Sequence, residues 1–228
     1  KNLYSLELQR KEKLSSQPNP EILKTYSRAQ INHNDEKYSI KLRVKGDRLM
    51  HFYDKKNTSF KIDVRGEKRI WGLEEFSIQK PITRNYIYEY IFHKVLESKG
   101  LISLKYFFIN LHINDTPHGL YAVEEGFSKE LIERNKRRNG PIFGLDEVLS
   151  DGSGGGITFP YVQYDLYSKN YWLENNLEMT KIAISKLNKL KQNEISAEEI
   201  FDLEKWAKYF VVIDLTNAIH GAITKSVK

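Results

Sequence analysis

Lys61 lies between Phe60 and Ile62 in the alternating run 59–64, so its stem packs while its ammonium emerges on the polar face. A cation held in this way suits an anionic ligand beside a cleft, and a solvated strand lysine has the same pattern. Glu124 and Glu125 close another apolar run. Strand alternation turns one of the two inward, where an unpaired carboxylate is costly. Glu89 stands between Tyr88 and Tyr90 in a helical pattern, four residues before His93, which is the spacing of a side-chain pair on one helix face. Asp214 and Asn217 are about one helical turn apart, on a face that also carries Phe210 and Ile213. That fits either a shared polar site or buried, satisfied polar groups. Asp146 and Glu147 follow an apolar run as an adjacent acidic pair of the kind common in loops.

Other patterns exclude chemistry. The glycine-rich segment at 151–156 lacks the Gly-Lys-Ser/Thr ending that would cradle phosphates, and reads as a linker. His112 and His118 flank a turn without a third ligand at zinc-motif spacing. The basic run 134–138 has no interleaved aromatic rings for base stacking, so it reads as a solvated helix end and gives no clear nucleic-acid signal. Tyr161, Tyr164, Tyr167, Tyr171 and Trp172 offer flat rings that either stack on sugars or pack the linker region. With no cysteine, disulfide scaffolds and Cys-based zinc sites or nucleophiles are excluded. A net charge of +6 favours anionic partners. Mean hydropathy of −0.57, without an apolar run near the length of a membrane span, predicts no spanning helix. The sequence opens on Lys1 with no signal-peptide core and stops after a helical pattern, so it reads as an excised fragment.

The elements that would position these residues follow from periodicity. Residues 3–15 predict a short surface helix or an irregular arm ending at Pro18 and Pro20. Alternation puts Tyr38, Ile40, Leu42 and Val44 on one strand face, with Lys41, Arg43 and Lys45 opposite. This strand is expected to pair with 25–32 through a His-Asn-Asp-Glu turn. Strands follow at 59–64 and 75–79, then a helix of about four turns from Ile87 to Gly100. A hairpin spans 104–124 with its turn at 114–119, and a second helix starts near Ser128 and ends in the basic run. Pro141–Leu145 predicts a further short strand. Beyond the linker the spacing is helical to the end, with a capping box at Ser196 and Glu199.

In order and spacing, RVKGD (43–47), NTSFKIDV (57–64), WGLEEFSIQ (71–79), TRNYIYEYIF (83–92), INDTPHGLYAVEE (113–125) and GPIFGLDE (140–147) resemble the CotH family of kinase-like proteins, first known from spore coats. The resemblance covers roughly 25–147 well and the last helix loosely. It implies an α+β, two-lobed kinase-like fold, with an antiparallel sheet lobe and a mostly helical, incomplete second lobe. The expected divisions are an arm at 1–24, a nucleotide-lobe region at 25–149, a linker at 150–160 and the start of the helical lobe at 161–228.

Active relatives transfer phosphate from ATP, with Mg²⁺, to protein Ser residues. By resemblance Lys61 would grip the nucleotide phosphates, Glu89 would orient that lysine, and Arg84 would contact phosphate or anchor the helix. Glu124 and Glu125 would lie beside the base or ribose. Asp214, Asn217 and His220 fall where the family's catalytic stretch is expected, with His220 near the place of an Asp, a departure that predicts an inactive chain. The metal ligands are expected beyond Lys228. A pseudokinase, or a coat or surface interaction module that keeps the fold, is the alternative. The family also implies export or cell-surface attachment and a protein partner.

Overall fold

A computed structural model describes residues 2–16, 18–46, 48–146 and 163–218. The fold is mixed α+β, with a curled antiparallel sheet and several helices. It divides into two compact units: residues up to Lys94 with Ser103–Gly126, and Val95–Ile102 with residues from Phe127 on.

The first unit is built on six strands: β1 (Ser27–His33), β2 (Glu36–Val44), β3 (Phe60–Val64), β4 (Glu75–Gln79), β5 (Tyr106–Ile113) and β6 (Thr116–Glu125). Their order in the sheet is β1-β2-β3-β4-β6-β5, and every neighbouring pair is antiparallel. Both expected hairpins form. Asn34 and Asp35 at one turn, and Asn114 and Asp115 at the other, all take positive φ, between 48° and 62°. Asn and Asp tolerate that region, and two such residues give a turn whose twist matches the strands. The second turn is tighter than the expected 114–119. Thr116–Gly119 continue β6, and a bulge beside Leu111 and His112 absorbs the irregular register.

Alternation sorts the sheet into two faces. Tyr38, Ile40 and Val44 of β2, Phe60, Ile62 and Val64 of β3, Phe76 and Ile78 of β4, and Tyr121 and Val123 of β6 form the core on the inner face. Phe52, Ile70 and Leu73 from the connections join them. Trp71 stands at a two-residue turn closed by reciprocal Ile70 and Leu73 backbone bonds, and its ring packs edge-on against His33, Phe76 and Phe107. The outer face keeps the polar residues.

Helix α1 (Asn2–Glu12) and the short α2 (Pro20–Lys24) precede the sheet. Pro20, an expected stop, instead opens α2 behind the Asn19 cap, because the first helical position needs no N–H. Helix α3 (Tyr88–Ser98) has three turns rather than four: Asn85 and Tyr86 hold positive φ and delay its start. It ends as expected at Gly100, where Leu101 N–H donates to Leu96 C=O at 3.0 Å.

In the second unit α4 (Lys129–Arg134) is shorter than the basic run suggested. Lys136 turns left-handed and Arg137 N–H closes back on Ile132 C=O, so the later arginines lie outside the helix. Strand β7 (Phe143–Asp146) pairs with β8 (Gln163–Leu166), a strand that the helical spacing did not reveal. Helices α5 (Lys169–Asn175), α6 (Leu177–Lys191) and α7 (Leu203–Leu215) follow. The Ser196/Glu199 capping box forms, but on a 3-10 turn ahead of α7, whose own cap is Asp202. The linker at 151–156 lies outside the described residues.

Gly46 joins β2 to the connection before β3 at φ 97°, and a Cβ there would meet the His51 ring at 2.2 Å. Gly46→Ala is therefore expected to destabilise the protein by about 3 kcal/mol, combining left-handed strain with overpacking. Gly66, at φ 79° with open space around it, should cost only about 1 kcal/mol as Ala. Urea unfolding of the two variants checks the difference.

Candidate functional site

Strand register gathers the site. Reading across the outer face, Arg43 of β2 pairs with Lys61 of β3, Lys61 with Ser77 of β4, Ser77 with Glu124 of β6, and Glu124 with Tyr106 of β5. Residues far apart in sequence thus form one line across five strands, all on the face opposite the core because each is one step out of phase with the apolar set. Lys45 follows β2 and stays in register through its N–H, which donates to Ser59 C=O at 2.8 Å. It lies on the same face as Gln79, one strand beyond Ser59. On the other side of the line lie Lys41, Asp63 and Glu75.

Glu124 is the centre of charge. Its Oε1 is 3.0 Å from the Lys45 ammonium, and its Oε2 accepts from the Gln79 amide at 2.6 Å and lies 3.7 Å from Arg84 Nε. The side chain is only 16% exposed. Burial by itself would push its carboxyl up, but the Lys45 and Arg84 charges, with hydrogen bonds from Lys45 and Gln79, outweigh it and hold the carboxyl at about 2. Arg84 is placed by the 3-10 turn Pro81–Arg84, stopped by left-handed Asn85. The Tyr106 phenol is pushed up by burial first and then by the nearby Glu124 charge.

Lys61 makes an ion pair with Glu75 of the neighbouring strand. Beside it Lys41 is 3.6 Å from Asp63, whose carboxyl is raised by burial and by the Glu75 charge. Glu89, in the first turn of α3, pairs with His93 at 3.5 Å rather than with Lys61. The buried His93 ring accepts Leu104 N–H on Nδ1, leaving Nε2 to face Glu89, and it stacks on Tyr106. Glu125 lies on the opposite face from Glu124 and accepts Lys105 N–H at 2.7 Å, tying the start of β5 to the end of β6. Alternation predicted one inward carboxylate, and Glu125 is the one: it is buried on the core face, while Glu124 is half-buried on the outer face, and each has partners of its own.

Asp214 and Asn217 belong to the second unit. Asp214 is exposed on the last turn of α7, and its carbonyl accepts from the N–H of Asn217, itself exposed at φ 50°. Neither is the buried polar group that the apolar neighbours suggested, because the helix turns Val212 and Ile213 inward instead. His220 and Glu147 lie outside the described residues. Among the described residues no group of three or more His, Asp or Glu is placed to hold a metal ion, and no helix is long and apolar enough to cross a membrane.

Lys45, Ser77 and Gln79 were not singled out by the sequence. Alternation put Lys45 on the polar face, but its partner Glu124 is 79 residues away, and nothing local marks a cross-sheet pair. Residues 31–225 match the family described as CotH kinase protein. No curated protein matches the chain.

Glu124→Gln should lower stability by about 2–4 kcal/mol at neutral pH, since it leaves Lys45 and Arg84 without their buried counter-charge. A carboxyl depressed in the folded state contributes stability that is present above about 4.5 and is lost as pH falls through about 2. The variant should therefore show a flatter acid limb in that window when urea midpoints are measured against pH.

Proposed function

Since this chain belongs to the CotH kinase family, we propose that the outer face of its sheet binds the phosphates of ATP, as the nucleotide lobe of a two-lobed kinase-like protein that transfers phosphate to protein Ser residues. The observation that carries this reading is the cationic cluster on and beside that face: Lys41, Arg43, Lys45, Lys61 and Arg84 stand against Asp63, Glu75 and Glu124, leaving an excess of positive charge. Tri-anionic or tetra-anionic phosphate chains are drawn to such a surface, and arginine and lysine meet them with charge-assisted hydrogen bonds.

In this reading Lys61 contacts the phosphates after giving up Glu75, an exchange of low cost because both partners are about a third exposed. Arg84 contacts a phosphate oxygen while remaining in reach of Glu124. Glu124 and Glu125 close the strand that leads toward the base or ribose, and Glu89 at the start of α3 is the acid available to Lys61 if the helix shifts. Asp214, Asn217 and His220 are the residues proposed for acceptor positioning. Export or surface attachment, and a coat or surface protein as partner, accompany this proposal through the family.

A second reading, a pseudokinase or surface interaction module without phosphoryl transfer, is favoured by one observation. Lys61 is engaged by Glu75 and Glu89 by His93, whereas an active kinase pairs the phosphate lysine with the helix acid. Incorporation of γ-phosphate into protein Ser separates the two readings; nucleotide binding without incorporation supports the second.

Lys61→Ala should weaken ATP binding at least about tenfold while the melting temperature stays within about 4 °C, because a polar-face strand lysine with its ammonium partly in water contributes little to packing. Titration calorimetry and thermal melting measure the two. An unchanged affinity would return Lys61 to the role of a solvated strand residue.

A further inference from the structure

The family match begins at residue 31, yet helix α1, ahead of it, is fastened to the segment that carries Lys45. Gln9, only 1% exposed, spans the point where β1 stops pairing with β2. Its Oε1 accepts Val44 N–H at 2.9 Å, and its Nε2 donates to Thr25 C=O. A buried amide satisfied at both ends is a specific connection, because either missing partner would leave a polar atom stranded. One residue beyond Lys45, the Gly46 carbonyl accepts from the Lys13 ammonium at 2.6 Å. Arg10, braced by Glu7, donates to the Phe52 and Tyr53 carbonyls at 3.3 and 3.2 Å. The chain is thus held immediately before Lys45 by Gln9 of α1 and immediately after it by Lys13, the residue that follows α1.

Lys45 itself is 21% exposed and reaches over the outer face to Glu124. Glu124 keeps Arg84 and Gln79 if Lys45 turns away. Lys45 can therefore change partners without stranding the half-buried carboxylate.

We propose that Lys45 is a phosphate-binding cation of the site and that α1, with Lys13 directly after it, is the element that positions it: a polyphosphate oxygen replaces the Glu124 oxygen at the Lys45 ammonium. This rests on the nucleotide reading of the same face and names a residue and an element that the family resemblance does not assign. The alternative is that Lys45 serves only as counter-ion to Glu124.

The two are separated by titrating the protein with ATP, inorganic tripolyphosphate and adenosine. Lys45→Met should weaken ATP and tripolyphosphate by about tenfold or more and leave adenosine within about twofold, while Lys45→Arg retains most of the affinity. Lys13→Met should weaken the two phosphate ligands by about threefold to fivefold through the loosened Gly46 carbonyl, with Lys13→Arg restoring them. Lys129→Met, on α4 and paired with Glu133, is the charge control and should change little. Circular dichroism establishes that each variant is folded. If Lys45→Met binds ATP as wild type does while Lys61→Ala does not, Lys45 is a counter-ion only and the inference is overturned. If wild type binds none of the three ligands, the nucleotide reading falls and takes this inference with it.

Discussion

A carboxylate taken largely out of water stays ionised only if cations are fixed beside it, and Glu124 imposes that requirement on the first unit. Its two oxygens draw in Lys45 from the end of β2, Arg84 from the turn before α3 and Gln79 from β4. Three connections of the chain converge on one strand end, so the placement of each depends on the others. Removing Glu124 would leave Lys45 and Arg84 facing each other's charge without a counter-ion, which makes the cluster a unit rather than a set of separate bonds.

The inner face makes this arrangement possible. Tyr121, Phe76, Ile62, Ile70 and Leu73 are almost wholly buried, and burying such side chains contributes on the order of 1.5–3 kcal/mol each before entropy is counted. That packing fixes strand register, and register brings Arg43, Lys61, Ser77 and Glu124 into line on the other side of the sheet. The Tyr121 hydroxyl, pushed up to about 12 by burial, reaches through to the Lys56 and Thr58 carbonyls and steadies the connection into β3 from the core side. From the N-terminal side α1 does the same for the segment around Gly46. A polar face with defined cation positions is the outcome of apolar packing behind it.

Much of this fold was legible in the sequence because its signals are local. Alternation in 38–44 and 60–64 gave the strands and their faces, the Asn-Asp pairs gave both hairpins, and Gly100 gave the end of α3. Local signals also misled where a distant contact decided the outcome: Pro20 opened a helix, the basic run after Arg134 left its helix, and β8 formed because β7 was there to pair with it. For the site, the polar-face position of Lys61 and the inward turn of one carboxylate of the Glu124 and Glu125 pair were readable. Their partners were not. Lys61 with Glu75, Glu124 with Lys45, and Glu125 with Lys105 N–H are cross-strand choices set by register over the whole sheet, and no spacing within one strand encodes them.

The central claim is that the basic side chains of the outer face receive the phosphates of a nucleotide. A lysine-selective NMR titration with ATP observes this at the atoms concerned. The account predicts that the Lys61 and Lys45 side-chain signals shift together and saturate, while exposed Lys129 and Lys205, on helices of the second unit, do not move. Lys61 and Lys45 signals that stay fixed at millimolar ATP, or that move no more than those of Lys129 and Lys205, would contradict it.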